Sequence, residues 1–142
     1  MTISDPTSTP ISTREIGNRA EKMALDYLAG KGFRLIRRNY RAGRDEIDLI
    51  MGHRGVLVFV EVKARSTTRF GLPQDAVDSK KKSRLIRCAY RYLIEHDRLD
   101  CDCRFDVIAI QLNSRNPLIE HFQAAFIVES HDIPDFDHFN QR

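Results

Sequence analysis

The run Val56-Leu57-Val58-Phe59-Val60 is apolar at five consecutive positions and is followed at once by Glu61-Val62-Lys63. Successive side chains of a strand point to opposite faces. A strand that is apolar on both faces must be covered on both, which makes it the central strand of an α/β sheet. Glu61 and Lys63 extend the face that carries Leu57 and Phe59. A lone Glu-x-Lys on a strand is ordinarily a solvent-facing charge pair. Here it ends a strand too apolar to have a wet face, so the pair calls for another explanation.

The flanking sequence supplies the partners of that strand. Residues 14–29 have helical periodicity, with Ile16, Ala20, Met23, Ala24, Tyr27 and Leu28 on one stripe, Thr13 as N-cap and Gly30-Lys31-Gly32 as the stop. Residues 33–40 read as a ragged strand, 41–45 as a polar turn containing Gly43, and 46–51 as a short strand. Gly52-His53-Arg54-Gly55 is a tight connection, so 46–51 and 56–63 form a β-hairpin. A loop at 66–73 leads to a long helix at 76–96 with Asp75 near its start. A strand at 104–112, a turn at 113–117 and a final strand at 121–128 follow. The order is α-β-β-β-α-β plus an extra C-terminal strand. At 142 residues this fits one domain, over 14–128, between a Ser/Thr/Pro-rich disordered tail at 1–13 and a second tail at 129–142.

Composition excludes more than it identifies. Three cysteines, Cys88, Cys101 and Cys103, are too few and too uneven for a disulfide framework and point to a reducing, cytoplasmic setting. No run of ~18 apolar residues is present to span a membrane, and residues 1–13 lack the apolar centre of a signal peptide. Net charge is +3 and the pI about 8.9, a weak hint of an anionic partner. There is no Ser/His/Asp pattern, Gly-rich phosphate loop or dinucleotide fingerprint. Cys101-x-Cys103 with His96 has poor spacing for zinc.

The acids of the hairpin are the chemical signal. If Met51 pairs with Val56, Asp48 lies opposite Phe59 and Glu46 opposite Glu61; a register two residues away puts Asp48 opposite Glu61. Either way the carboxylates come within roughly 5–8 Å. Two carboxylates ~5 Å apart repel by about 3 kcal/mol at an effective dielectric near 20. Lys63 offsets one charge, and a divalent cation would offset the rest; all-oxygen ligands suit Mg²⁺ or Mn²⁺ rather than zinc. Glu21 borders the apolar stripe of the first helix, where a solvated glutamate is the ordinary reading.

A second signal is basic. Lys80, Arg84, Arg87 and Arg91 recur at spacings of four, three and four along the long helix, and like charges stacked so closely call for an anion or for full solvation. Lys81 instead shares the inward sector with Val77, Leu85, Cys88 and Tyr92, where it needs a carboxylate or a phosphate. Arg37, Arg38, Arg41, Arg44, Arg65 and Arg69 add positive charge around the hairpin.

Several of these residues make up a longer pattern. It comprises Gly17-x-x-x-Glu21-x-x-Ala24-x-x-Tyr27-Leu28, Gly32-Phe33, Arg38-Asn39-Tyr40-Arg41, Glu46-Ile47-Asp48-Leu49-Ile50, Val58-Phe59-Val60-Glu61-Val62-Lys63-x-Arg65, Phe70-Gly71 and Arg104-Phe105-Asp106-Val107. Across most of its ordered length the chain resembles the YraN-type family of small bacterial proteins. That family is similar to the PD-(D/E)xK nuclease superfamily, which includes restriction enzymes and archaeal Holliday-junction resolvases. The resemblance implies a restriction-endonuclease-like αβββαβ core with a central mixed sheet flanked by helices. It implies that Asp48 and Glu61 bind metal, that Lys63 is the catalytic lysine, that Glu21 completes the site and that Lys81 is the family's second-helix lysine. The family pattern has glycine before its Glu-x-Asp; this chain has Asp45, which alters the turn and adds a negative charge.

The expected function is hydrolysis of phosphodiester bonds by a Mg²⁺- or Mn²⁺-dependent endonuclease. Asp48, Glu61, Glu21 and Glu46 form its metal shell, and Arg41, Arg65, Lys80, Lys81, Arg84, Arg87 and Arg91 contact nucleic acid, DNA first. No base-reading element is evident, so recognition is of structure rather than sequence. The rival is a non-catalytic nucleic-acid-binding module on the same fold; a protein-interaction scaffold that uses the tails is a weaker third. No membrane partner is expected, and a homodimer is left open.

Overall fold

The apolar run sits in the third of five strands in one sheet. A computed structural model describes residues 12–65, 77–112 and 115–133. Most of the two expected tails, the loop at 66–73 with Arg69, and Asp75 and Ala76 lie outside the described residues. The elements are α1 (Thr13–Gly30), β1 (Arg34–Ala42), β2 (Asp45–His53), β3 (Val56–Arg65), α2 (Ser79–Glu95), β4 (Cys103–Gln111) and β5 (Leu118–Phe122), with a short 3-10 turn at Ser130–Asp132. Strand order follows the sequence, β1-β2-β3-β4-β5. Only β3 and β4 are parallel, joined through α2; the other pairs are antiparallel. This is the expected mixed sheet with its extra C-terminal strand.

Both faces of β3 are covered. Val58 and Val60 pack with Leu49, Met51, Ile108 and Ile110 beneath Ala20, Ala24 and Leu28 of α1. Phe59 packs with Ile50, Phe105 and Tyr40 beneath Leu85, Ala89 and Tyr92 of α2. Its ring lies 5.3 Å from Phe105 and 6.0 Å, edge-on, from Tyr92. Burial of these side chains from both sides contributes roughly 1.5–3 kcal/mol each.

Four boundaries differ from expectation, each for a local reason. The cap of α1 is Ser12, not Thr13: its Oγ accepts from Glu15 N at 3.2 Å, and the helix starts at Thr13. The cap of α2 is Asp78, whose Oδ1 accepts from Lys81 N at 2.8 Å, so the helix begins three residues later than predicted. The β2–β3 hairpin turns on Arg54 and Gly55 alone, both at positive φ, and His53 pairs with Val56. That is the alternative register, and one residue beyond its last pair, Leu49 with Val60, it brings Asp48 level with Glu61. Finally, β5 spans 118–122 rather than 121–128. Ala124 takes φ +48 and turns the chain, so Phe126 and Val128 reach the core from a loop.

A buried charge cluster fixes that turn. Asp106 on β4 is fully enclosed; its carboxylate accepts from Arg104 Nε at 3.0 Å, His121 Nε2 at 2.8 Å and Ala124 N at 3.0 Å. Burial alone would raise its pKa, but the bonds from His121, Arg104 and Ala124 outweigh burial and leave it below the ordinary aspartate value. At the other edge, β1 is exposed at every position from Arg34 to Asn39, carries Leu35 and Ile36 among its arginines, and slips register between Leu35 and Arg37. Among the described residues no helix is long and apolar enough to cross a membrane, and all three thiols are free.

Asp106→Ala leaves the half-buried Arg104 and the buried His121 without their carboxylate and should cost about 3 kcal/mol in urea unfolding at neutral pH. Because its pKa is lowered on folding, the stabilisation is present above the ordinary aspartate range and lost as pH falls through the folded value. The gap between wild type and variant should therefore narrow in acid; a gap that is small and flat with pH would count against the cluster.

Candidate active site

The C-terminal end of β3, the middle of β2, the inner edge of α1 and the first turns of α2 meet at a cluster of acids. Glu61 is buried on β3, and Lys81 of α2 pairs with its Oε1. Lys81 therefore has the carboxylate its inward position called for. Asp48 on β2 is partly buried, and its Oδ2 accepts from Val62 N at 2.8 Å. The β2 side chain thus takes a backbone donor of β3, tying the two strands where the ladder of pairs ends.

Electrostatics register the crowding. The pKa of Asp48 rises from 3.8 to about 7, first through burial and then through the charge of Glu61; the Val62 bond opposes this, and Glu21 and Glu46 add to it. Glu21 is also raised, by burial and then by Glu46, with Asn39 and Arg38 opposing. Lys63, half-buried on β3, is lowered by burial and then by Lys81, while Glu61 opposes. Four acids and two lysines thus share one field, and the acids from three separate elements repel one another.

Asn39 stands in the Arg38-Asn39-Tyr40-Arg41 run of the family pattern, but sequence reasoning gave it no role. It lies on β1 between the pairs Arg38–Leu49 and Tyr40–Ile47, at φ +51, a left-handed conformation that asparagine tolerates better than most residues. With its amide turned to donate, it bridges Glu46 Oε1 and Glu21 Oε2, each at 3.2 Å. It is the group that joins α1 to the hairpin at this site. An asparagine inside a strand pattern was the signal available.

The basic residues divide. Arg41 is exposed and lies 3.7 Å from Glu46. Arg65 ends β3 opposite Gln111, and Lys80 and Arg84 are exposed on α2. Arg87 forms a two-point pair with Asp45, Nε–Oδ2 at 2.7 Å and Nη2–Oδ1 at 3.0 Å. The charge of Asp45 is thereby answered within the chain, and the basic row on α2 has an internal anion at its third position. Arg91 is half-buried on α2.

The donor set is all carboxylate oxygen, from Asp48, Glu61, Glu21 and Glu46, with a net negative charge that the two lysines do not cancel. Such a set fits Mg²⁺ or Mn²⁺. As the side chains stand, no group of three or more acids, histidines or cysteines among the described residues is placed to hold a metal ion.

Residues 20–110 match the family model described as Uncharacterised protein family UPF0102. Relatives include a UPF0102 protein of Chlorobium chlorochromatii, 42% identical over 126 residues, with 84% of this chain and 97% of the relative covered. A UPF0102 protein of Chlorobaculum parvum is 44% identical over 119 residues, with coverages of 80% and 92%. Among solved structures, Pyrococcus furiosus SfsA in complex with Ca²⁺ superposes with a TM-score of 0.37 at 18% identity; the match covers 80% of this chain and 64% of that one.

Asp48 gives a pH test that needs no substrate. Between 3.8 and about 7 the folded chain keeps a proton that the unfolded chain has released, so this group lowers stability as pH rises through that window. Asp48→Asn keeps an oxygen for Val62 N and cannot ionise. In EDTA the variant should gain stability over wild type between about pH 5 and about pH 8, by on the order of 2–4 kcal/mol in urea unfolding. A difference that does not change with pH would show that Asp48 is not under the strain described.

Proposed function

The chain belongs to the uncharacterised protein family UPF0102, and from that premise and its site we propose that it is a metal-dependent nuclease that hydrolyses phosphodiester bonds in nucleic acid. The observation that carries the reading is the raised pKa of Asp48 beside Glu61, with Lys63 and Lys81 in the same field. Folding alone gives no reason to gather four acids at the end of a covered strand, and an acid–lysine cluster is what phosphoryl chemistry uses. Asp48 and Glu61 would hold Mg²⁺ or Mn²⁺, with Glu21 and Glu46 completing the shell and Asn39 keeping those two in place. The bound ion would supply Lewis-acid polarisation of the scissile phosphate.

The chain's own residues do the remainder. Lys63 would orient the attacking water or neutralise charge that develops on the phosphate. Its lowered pKa makes proton donation to a leaving oxygen easier than for an ordinary lysine. Lys81, paired with Glu61 from α2, would lend its charge to the same phosphate. Lys80 and Arg84 extend the positive surface along α2, with Arg41 and Arg65 as further contacts. DNA, recognised by its structure, is the first substrate to test, and the cytoplasm is the expected setting.

One observation favours the rival, a nucleic-acid-binding module without catalysis: Lys81 answers Glu61 internally, as a site that never takes a metal would require. Cleavage assays on linear, nicked, flapped and four-way DNA with Mg²⁺, Mn²⁺ or EDTA separate the two. Lys63→Ala should lower cleavage by at least ~10² and leave DNA affinity nearly unchanged, because it removes an interaction made in the transition state. Asp48→Asn should weaken Mg²⁺ binding in calorimetry. Absence of metal-dependent cleavage by wild type, with Mg²⁺ binding unaltered by either substitution, would refute the nuclease.

A further inference from the structure

The far end of the sheet carries a second charged feature that the acid cluster does not involve. Around the β2–β3 turn two hollows, of about 490 and about 320 Å³, meet at His53, Arg54 and Val56. The first is lined by Lys31, Arg54 and Arg104, the second by Arg34, Arg54 and Arg98, and no carboxylate lines either. Arg104 is already held by Asp106, and Lys31 lies over the Tyr27 ring at 4.5 Å. Arg34, Arg54 and Arg98 are exposed, and among the described residues none of the three forms an ion pair. The wall between the hollows is His53, stacked on Phe33 with ring centres 3.9 Å apart. Burial and then the charges of Arg54 and Arg104 lower the pKa of His53, while Asp106 opposes them.

Arg54 is the telling residue. It occupies the first position of a two-residue hairpin turn at φ +50, followed by Gly55 at φ +80. Such turns favour asparagine, aspartate or glycine at both positions, because other side chains crowd the backbone there. Arginine is a poor choice for the turn, and it sets its charge where both hollows meet. Strain of this kind clusters at positions that bind ligands.

We propose that the two hollows form a phosphate-binding surface for the backbone of nucleic acid, with Arg54 at its centre. Glu61 lies five residue steps of extended chain beyond Val56, roughly 16 Å. No single phosphate spans that distance, so this surface makes a contact separate from the acid site. It rests on the proposed function only in the choice of nucleic acid as the ligand.

Arg54→Asn tests it in the full chain, because asparagine suits the left-handed turn and removes the charge. Binding is read in EDTA, by fluorescence anisotropy of a short labelled DNA duplex over a range of salt. One lost phosphate contact should weaken affinity roughly fivefold to tenfold at about 0.1 M salt and make the slope of log affinity against log salt shallower by about 0.9. The melting temperature should stay equal or rise. Arg34→Gln with Arg98→Gln should act in the same direction. Unchanged affinity and slope in both variants would overturn the proposal, as would a joint fall of affinity and melting temperature in Arg54→Asn, which would make the arginine structural. NMR shifts at Arg54 on adding inorganic phosphate, with none on adding duplex, would assign the hollows to a small anion and also overturn it. No cleavage is needed, so a chain that never cuts but shows these losses keeps this surface. A chain that cuts with Mg²⁺ and ignores Arg54→Asn keeps its activity and loses the surface.

Discussion

A carboxylate carried to the end of a strand covered on both faces must have its charge answered there. Glu61 is in that position because Val58, Phe59 and Val60 are locked between α1 and α2. Lys81 answers it from α2, and the geometry of the helix follows. The Asp78 cap starts α2 where Lys81 can reach Glu61, and two turns later Arg87 reaches Asp45. Two ion pairs thus seat one helix over one end of the sheet. Both also involve acids from the region of the candidate site, so the helix cannot shift without disturbing those acids.

Much of this was legible in the sequence, for reasons that differ by residue. Ala20, Ala24 and Leu28 recur at helical spacing, and the apolar run of β3 has no other plausible home, so these elements could be placed by periodicity alone. The hairpin register was left between two values because Gly52-His53-Arg54-Gly55 holds two glycines, and either could bound the turn. Arg54 at φ +50 decides it, and turn geometry of that kind is not encoded in hydrophobic pattern. The final strand was set too late because its end depends on Asp106, fifteen residues from His121, whose bonds to His121 and Ala124 stop the strand.

The candidate site shows the same division. Asp48, Glu61 and Lys63 are near neighbours in a hairpin, so alternation alone could relate them. Asn39 could not be found that way, since its role exists only once α1 and β2 have brought Glu21 and Glu46 to either side of it. Arg87 read as one cation in a row of four until the fold brought Asp45, 42 residues away, against it. Sequence spacing describes one element at a time, and these partners come from two.

The exposed edge of β1 bears on how copies of the chain meet. A bare strand edge is an open row of hydrogen-bonding groups, ready to zip onto another. Leu35 and Ile36 would make this edge adhesive, but Arg34, Arg37, Arg38 and Arg41 stud the same strand, and the slip between Leu35 and Arg37 breaks the flat run a neighbour would need. Two antiparallel β1 edges would set arginines against arginines. The strand is therefore guarded against sticking to itself in a crowded solution.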